Sequence, residues 1–299
     1  MWLHRYALLT AAATFCLIIA GALVTSHEAG LAVPDWPLSY DSVMPPMVGN
    51  IFWEHGHRMV ATFVGLLTIV LALWLWGSEP RRWVRRLGWA ALGAVVFQGI
   101  LGGMTVLFLL PRPISIAHAS LAQLFFCLTV SLALFTSRSW LDQPVRLRES
   151  AQPSLRRLAA ATTAAVFIQL ILGAAYRHNA AGIVPHLVGA AAVTIGVIWV
   201  WRRVRREHAD EPALRRPAAI LASLLLSQLA LGGATYWVRL ATAGAPQPEL
   251  LMVVLTVAHV GTGALVLVSS LVVTLQAYRR LAPPEAKLAI VSAAQKVAS

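Results

Sequence analysis

Apolar residues in this chain run in blocks instead of alternating with polar ones. Eight blocks, close to residues 5–26, 51–76, 87–108, 114–136, 158–176, 183–201, 217–238 and 250–278, carry few charges. About 20 apolar residues at about 1.5 Å of helix rise each cross the roughly 30 Å hydrocarbon core of a bilayer. Inside that core every backbone N–H and C=O must be paired within the protein, which selects helices for blocks of this length. The pattern predicts an all-α membrane protein of eight transmembrane helices. The spans use most of the 299 residues, so no separate soluble domain fits. No small-residue cleavage site followed by a soluble domain succeeds the first block, which is expected to be a retained span.

The blocks repeat. Gln-x-x-Leu-Gly occurs at Gln98/Leu101/Gly102, Gln169/Leu172/Gly173 and Gln228/Leu231/Gly232, in the third, fifth and seventh spans, with a relic at Leu17/Ala20/Gly21 in the first. The third and seventh spans match furthest, Leu-Gly-Gly-Met-Thr at 101–105 against Leu-Gly-Gly-Ala-Thr at 231–235. Small residues of this kind let membrane helices approach closely and leave room for a flat ligand. The repeating unit is a helix pair used four times. It predicts two tandem four-helix bundles related by a pseudo-twofold axis along the membrane normal. The expected division is an N-terminal half at 1–140, a linker at 141–157, a C-terminal half at 158–280 and a mobile tail at 281–299.

Charge fixes the expected topology. The net charge is +12, yet twenty of the 24 Lys and Arg residues fall in the segments on one side, from Arg5 and the Arg81–Arg86 group to Arg279 and Arg280. Only Arg112, Arg177 and Arg239 fall in the opposite loops, and Arg58 lies inside a span. The positive-inside rule then places both termini in the cytoplasm and assigns the basic excess to topology instead of nucleic-acid binding. Cys16 and Cys127 lie within spans and are expected to be small packing residues. The long loop at 27–50 contains Pro34, Pro37, Pro45 and Pro46 with no Lys or Arg. It is expected to form an ordered cap, with Trp36 anchoring it at the interface.

The chemistry lies in the even-numbered spans. Each carries one histidine near its outer end: His57, His118, His186 and His259. Each is followed one turn later by a small residue: Ala61, Ala122, Ala190 or Gly263. Imidazole inside a membrane is costly and marks function, and it is a ligand for haem iron. Four histidines at comparable depth allow two bis-histidine haems, paired most simply within each half as His57 with His118 and His186 with His259. The halves differ in one respect. The first reads Glu54-His55-Gly56-His57-Arg58, whereas the second has Val184-Pro185-His186-Leu187 at the matching place. Glu54, His57 and Arg58 share one helix face. Arg58 has two candidate partners, Glu54 and a haem propionate, and His55 is the weaker candidate ligand. An acid beside a ligand in one half alone assigns chemistry to that half and a pure cofactor site to the other. A di-haem b-type electron-transfer cytochrome accounts for the histidines equally well, but not for Glu54 or the cap. His4, His27, His178 and His208 are expected in solvated loops and interfaces, with His27 and His178 available to line a haem edge.

The loop Gly30-Leu31-Ala32-Val33-Pro34-Asp35-Trp36-Pro37-Leu38, the Glu54-x-x-His57-Arg58 motif and the three later histidines resemble the haem A synthase family, most specifically over the first 65 residues. That resemblance implies oxidation of the C8 methyl of haem O to a formyl group, giving haem A for cytochrome oxidase. It implies a substrate haem between His57 and His118, a permanent haem b between His186 and His259, and Glu54 as the active-site acid. It also implies a bacterial inner-membrane location with the haem sites toward the outer side, haem O synthase as a partner that supplies substrate, and an electron acceptor that is not named. A homo-oligomer is compatible with the pattern. Many relatives carry a cysteine pair in the first outer loop. Here Val33 and Ser39 stand in those places, which groups the chain with the cysteine-free members.

Overall fold

The computed structural model describes residues 1–142, 147, 149 and 152–282. The expected tail at 283–299 and most of 143–151 lie outside the described residues. The helices are α1 (Trp2–Ser26), α2 (Gly49–Ser78), α3 (Arg82–Leu107), α4 (Arg112–Phe135), α5 (Arg138–Leu141), α6 (Leu155–Arg177), α7 (Ile183–Glu207), α8 (Pro212–Ala241) and α9 (Leu250–Arg280). All except the short α5 are long and apolar enough to cross a membrane, and they are the eight spans read from the sequence. Each outgrows its apolar block by a turn or less at most ends, because helix signals and hydropathy do not stop together. The Ser154, Glu211 and Glu249 side chains accept N–H groups in the first turns of α6, α8 and α9. Pro113 and Pro212 occupy first turns, where proline forfeits no helix hydrogen bond.

Large apolar side chains such as Leu8, Phe63, Leu66, Ile195 and Leu226 point away from the protein. Exposed apolar surface on this scale is wetted by lipid, not water, and the chain is a multi-pass membrane protein.

Consecutive helices pack as neighbours. α1 touches α2, α2 touches α3, α3 touches α4, and α4 returns to α1; α6, α7, α8 and α9 close a second ring in the same way. The rings meet through α1 with α9, α4 with α6, and α4 with α9. Exchanging α1–α4 for α6–α9 leaves this set of neighbours unchanged. Each ring has its own apolar core. One is built from Ala7, Val64, Leu71, Leu75, Val84, Phe125 and Leu132, the other from Leu155, Val197, Val200, Leu214, Leu221 and Leu267. A small cluster of Ile18, Phe126, Ala264 and Val268 fills the seam. Both ring cores lie toward the end where α1 begins and α9 finishes, here termed the basic end. The opposite end carries the four histidines and is termed the histidine end.

Four expectations are corrected. α6 begins at Leu155, inside the stretch read as linker, because Ser154 caps it there. Cys16 is exposed on α1 and packs little, whereas Cys127 is partly buried at the seam. His4 is not simply solvated, since its Nδ1 lies 2.9 Å from the Ala133 carbonyl of α4. His208 closes α7 and is buried. Burial holds its imidazole below the ordinary value despite nearby Glu207, Glu149 and Glu211.

Candidate functional site

Each of the four histidines lies against a glycine of the preceding span. A Cβ added at Gly21 of α1 would come within 3.2 Å of His57 Cε1. The corresponding approaches are 3.3 Å for Gly102 to His118, 2.9 Å for Gly173 to His186, and 3.0 Å for Gly232 to His259. These are the repeat glycines, including the relic Gly21. The room beside each ring therefore comes from the neighbouring helix, and Gly263, one turn beyond His259, faces Gln228 and Leu170. An imidazole leaving its own helix sideways meets the adjacent backbone, where a glycine leaves space that even a methyl group would crowd.

In the second half the histidine rings come together. His186 and His259 stand with centroids 6.4 Å apart and planes 76° from parallel. Two imidazoles on one metal, with bonds of about 2 Å and ring radii of roughly 1.1 Å, would have centroids about 6 Å apart. The separation of the second pair would therefore let both rings reach one metal. The Nδ1 atoms of His57, His118 and His259 are buried and have no hydrogen-bond partner among the described residues, so each ring has unused polar capacity.

The repeat glutamines take part as well. Gln169 Nε2 donates to the His186 carbonyl at 2.8 Å and lies 3.0 Å from its Nδ1. Gln228 Nε2 lies 3.3 Å from His259 Nε2. Their role was not assigned from the sequence, although the Gln-x-x-Leu-Gly repeat carried the signal.

The first half carries a cap that the second lacks. Glu54 is buried, with Oε1 at 2.7 Å from Arg58 Nη2 and Oε2 accepting the Val33 N–H at 2.8 Å. Arg58 also donates to the Asp35, Leu38 and Val33 carbonyls and to Ser39 Oγ. Between the two candidate partners of Arg58, the geometry is that of the ion pair with Glu54, extended into the loop. His55 faces the same cap, its Nδ1 2.8 Å from Ser39 Oγ. Val33 and Ser39 are both buried beneath this network. His27 stacks on Trp53 at 4.1 Å, so it is committed to an aromatic contact.

The cap reaches the far side of its ring. The Trp36 indole fills the space in front of Gly103 of α3, where an added Cβ would fall 2.7 Å from the ring. Trp36 is thus docked on α3 with part of its surface still exposed. Gly103→Leu is expected to expel Trp36, a steric clash costing about 1–3 kcal/mol. The check is limited proteolysis of the 27–48 loop, which should be cut faster in the variant; unchanged resistance would contradict the docking.

Asp35 accepts the N–H groups of Tyr40 and Asp41 at 2.8 and 2.9 Å. These bonds hold its carboxyl below the ordinary value. A group depressed on folding contributes stability that is complete above its unfolded value of 3.8 and is lost as pH falls through the folded value. Cap resistance to an acid-active protease is expected to be flat from neutral pH down to the carboxylate range and then to fall. Asp35→Asn should lower the plateau at neutral pH and flatten that acid step.

Residues 4–186 match the family described as cytochrome oxidase assembly protein. The chain belongs to that family. Relatives named Heme A synthase match as well. A Heme A synthase of Symbiobacterium thermophilum is 28% identical over 258 residues, covering 77% of this chain and 84% of the relative. Heme A synthases of Alkalihalophilus pseudofirmus and Halalkalibacterium halodurans are 31% and 33% identical over 136 and 139 residues. Those two matches cover 46% and 44% of the relatives, just under half their length. The family match ends at His186. α8 and α9 lie beyond it, and the placement of His259 opposite His186 rests on the geometry of the second ring.

Proposed function

We propose that this cytochrome oxidase assembly protein is a haem A synthase that oxidises the C8 methyl of haem O to a formyl group. The observation that carries the reading is the set of four glycine–histidine contacts, which repeat in both rings while the Glu54–Arg58 cap is built over one. The equal halves support two haem sites, and the unequal caps support different tasks for them. His57 and His118 would hold the substrate haem, and His186 and His259 would hold a resident haem b. The resident haem would supply one-electron redox chemistry, passing electrons on to an external acceptor.

The conversion balances as two oxidations. In each, a C–H bond of the substrate methyl breaks, a C–O bond forms from water, and two electrons and two protons leave. The first gives the alcohol. The second gives a gem-diol, which loses water to the aldehyde. Glu54 is the protein's group for this work, as a general base for the attacking water or as a negative charge beside the electron-poor carbon. Arg58 positions Glu54, and the Val33 N–H fixes its second oxygen. The cap lies over the buried Glu54 and would restrict the water that reaches it.

The distribution of basic residues supports an inner-membrane protein with both termini cytoplasmic and the haem sites toward the outer face. Haem O synthase is the proposed source of substrate. Purification from cells that make haem O, followed by extraction and chromatography of the haems, tests the proposal. Haem b with haem A or the hydroxylated intermediate supports it. Haem b alone, with haem O available, favours the di-haem electron-transfer cytochrome instead.

A further inference from the structure

Arg177 ends α6 at the histidine end and forms no ion pair with any described carboxylate. Its Nη2 donates to Ser26 Oγ at 2.8 Å and reaches the Ala22 carbonyl at 3.4 Å, both on α1. The guanidinium therefore crosses the seam from the second ring to the first. Gly173, one turn earlier on the same face of α6, is the glycine against the His186 ring. Arg177 lies about 6 Å beyond that glycine along the helix. Arg239, from α8, lies over the ring of Tyr176, the chain neighbour of Arg177, at 4.8 Å.

Two cations are thus held near each other beside the His186–His259 pair, with no described carboxylate paired to either. Like charges at a membrane boundary repel, and a partly desolvated cation without a counter-ion is costly. An anion shared by both relieves both penalties. The planar guanidinium fork suits a carboxylate or a phosphate. The first ring has no equivalent. Arg177 stands four residues after the repeat glycine Gly173, where the first ring has Thr25 after Gly21. Arg239 stands seven after Gly232, where the first ring has Leu109 after Gly102.

We propose that Arg177 and Arg239 form an anion clamp for a propionate carboxylate of the haem held between His186 and His259. The clamp makes that haem a resident, while the first ring, with Thr25 and Leu109, releases its haem after turnover. This inference rests on the two-site reading above. A lipid phosphate is the other source of the same chemistry.

The test is a cycle of two changes in the full-length protein in nanodiscs. Wild type, Arg177→Lys and the Arg177→Gln/Arg239→Gln double variant are titrated with haem b and with its dimethyl ester. Wild type is expected to prefer the free acid by about 10-fold or more. The double variant should lose most of that preference, and the lysine variant should keep an intermediate one, which separates a clamp from a folding defect. The midpoint potential of the bound haem should also fall in the double variant, since a cation favours the reduced form. An equal preference in wild type and double variant overturns the clamp alone. A loss that follows the anionic-lipid content of the nanodisc and ignores esterification assigns the arginines to lipid and overturns it too. A wild type that takes up no haem overturns the two-site reading as well.

Discussion

Glu54→Gln is expected to lower conversion of haem O by about 100-fold or more, the usual scale for loss of a general base, while haem b stays bound. The amide keeps an oxygen that can accept from Arg58 and has nearly the shape of the carboxylate, so the cap remains largely closed. It loses the charge and the acceptor for the Val33 N–H, which the carboxylate now provides at 2.8 Å. Glu54→Ala goes further, because it leaves the Arg58 guanidinium without its carboxylate and removes the side chain that fills the space beneath Val33. The alanine variant should fail in both conversion and protease resistance of the 27–48 loop. The two variants together separate chemistry from architecture. Rates are measured per chain loaded with haem b. Wild-type turnover by the glutamine variant would show that Glu54 serves the cap alone.

The second large effect concerns the other ring. His186→Ala or His259→Ala should abolish the low-spin haem b signal, since each removes one of two rings 6.4 Å apart. Gly173→Leu should do nearly the same without touching a ligand. Its Cβ alone would fall 2.9 Å from His186 Cε1, and the added isobutyl group displaces the imidazole. Ala at this site is a graded control, with weakened haem binding expected. Spectroscopic haem content per purified chain is the measurement. A Gly173→Leu protein with full haem content would mean that the glycine serves helix packing only.

The eight spans were legible because bilayer thickness imposes a length and an apolar composition that any sequence must obey. The histidines were legible because a polar ring in such a block stands out. The repeat glycines were visible, but the packing of each one against the histidine ring of the next span was not read from the sequence. That contact depends on how neighbouring helices cross, which no single-helix pattern records. The cap shows the same limit. Arg58 sharing a face with Glu54 could be read from their spacing, yet its bonds to Asp35, Leu38 and Ser39 join residues about 20 positions apart through an irregular loop. Arg177 looked like an ordinary loop cation until its reach to Ser26 placed it at the seam. His208 was misread for a related reason, since a polar residue at a helix end is buried or wet according to what folds over it.

The central claim is a division of labour between two similar rings, and haem stoichiometry in cells that make haem b but no haem O tests it most directly. The account predicts one low-spin bis-histidine haem b per chain, retained in His57→Ala and lost in His186→Ala. Two resident haems per chain, or a single haem lost with His57 and kept without His186, would contradict it.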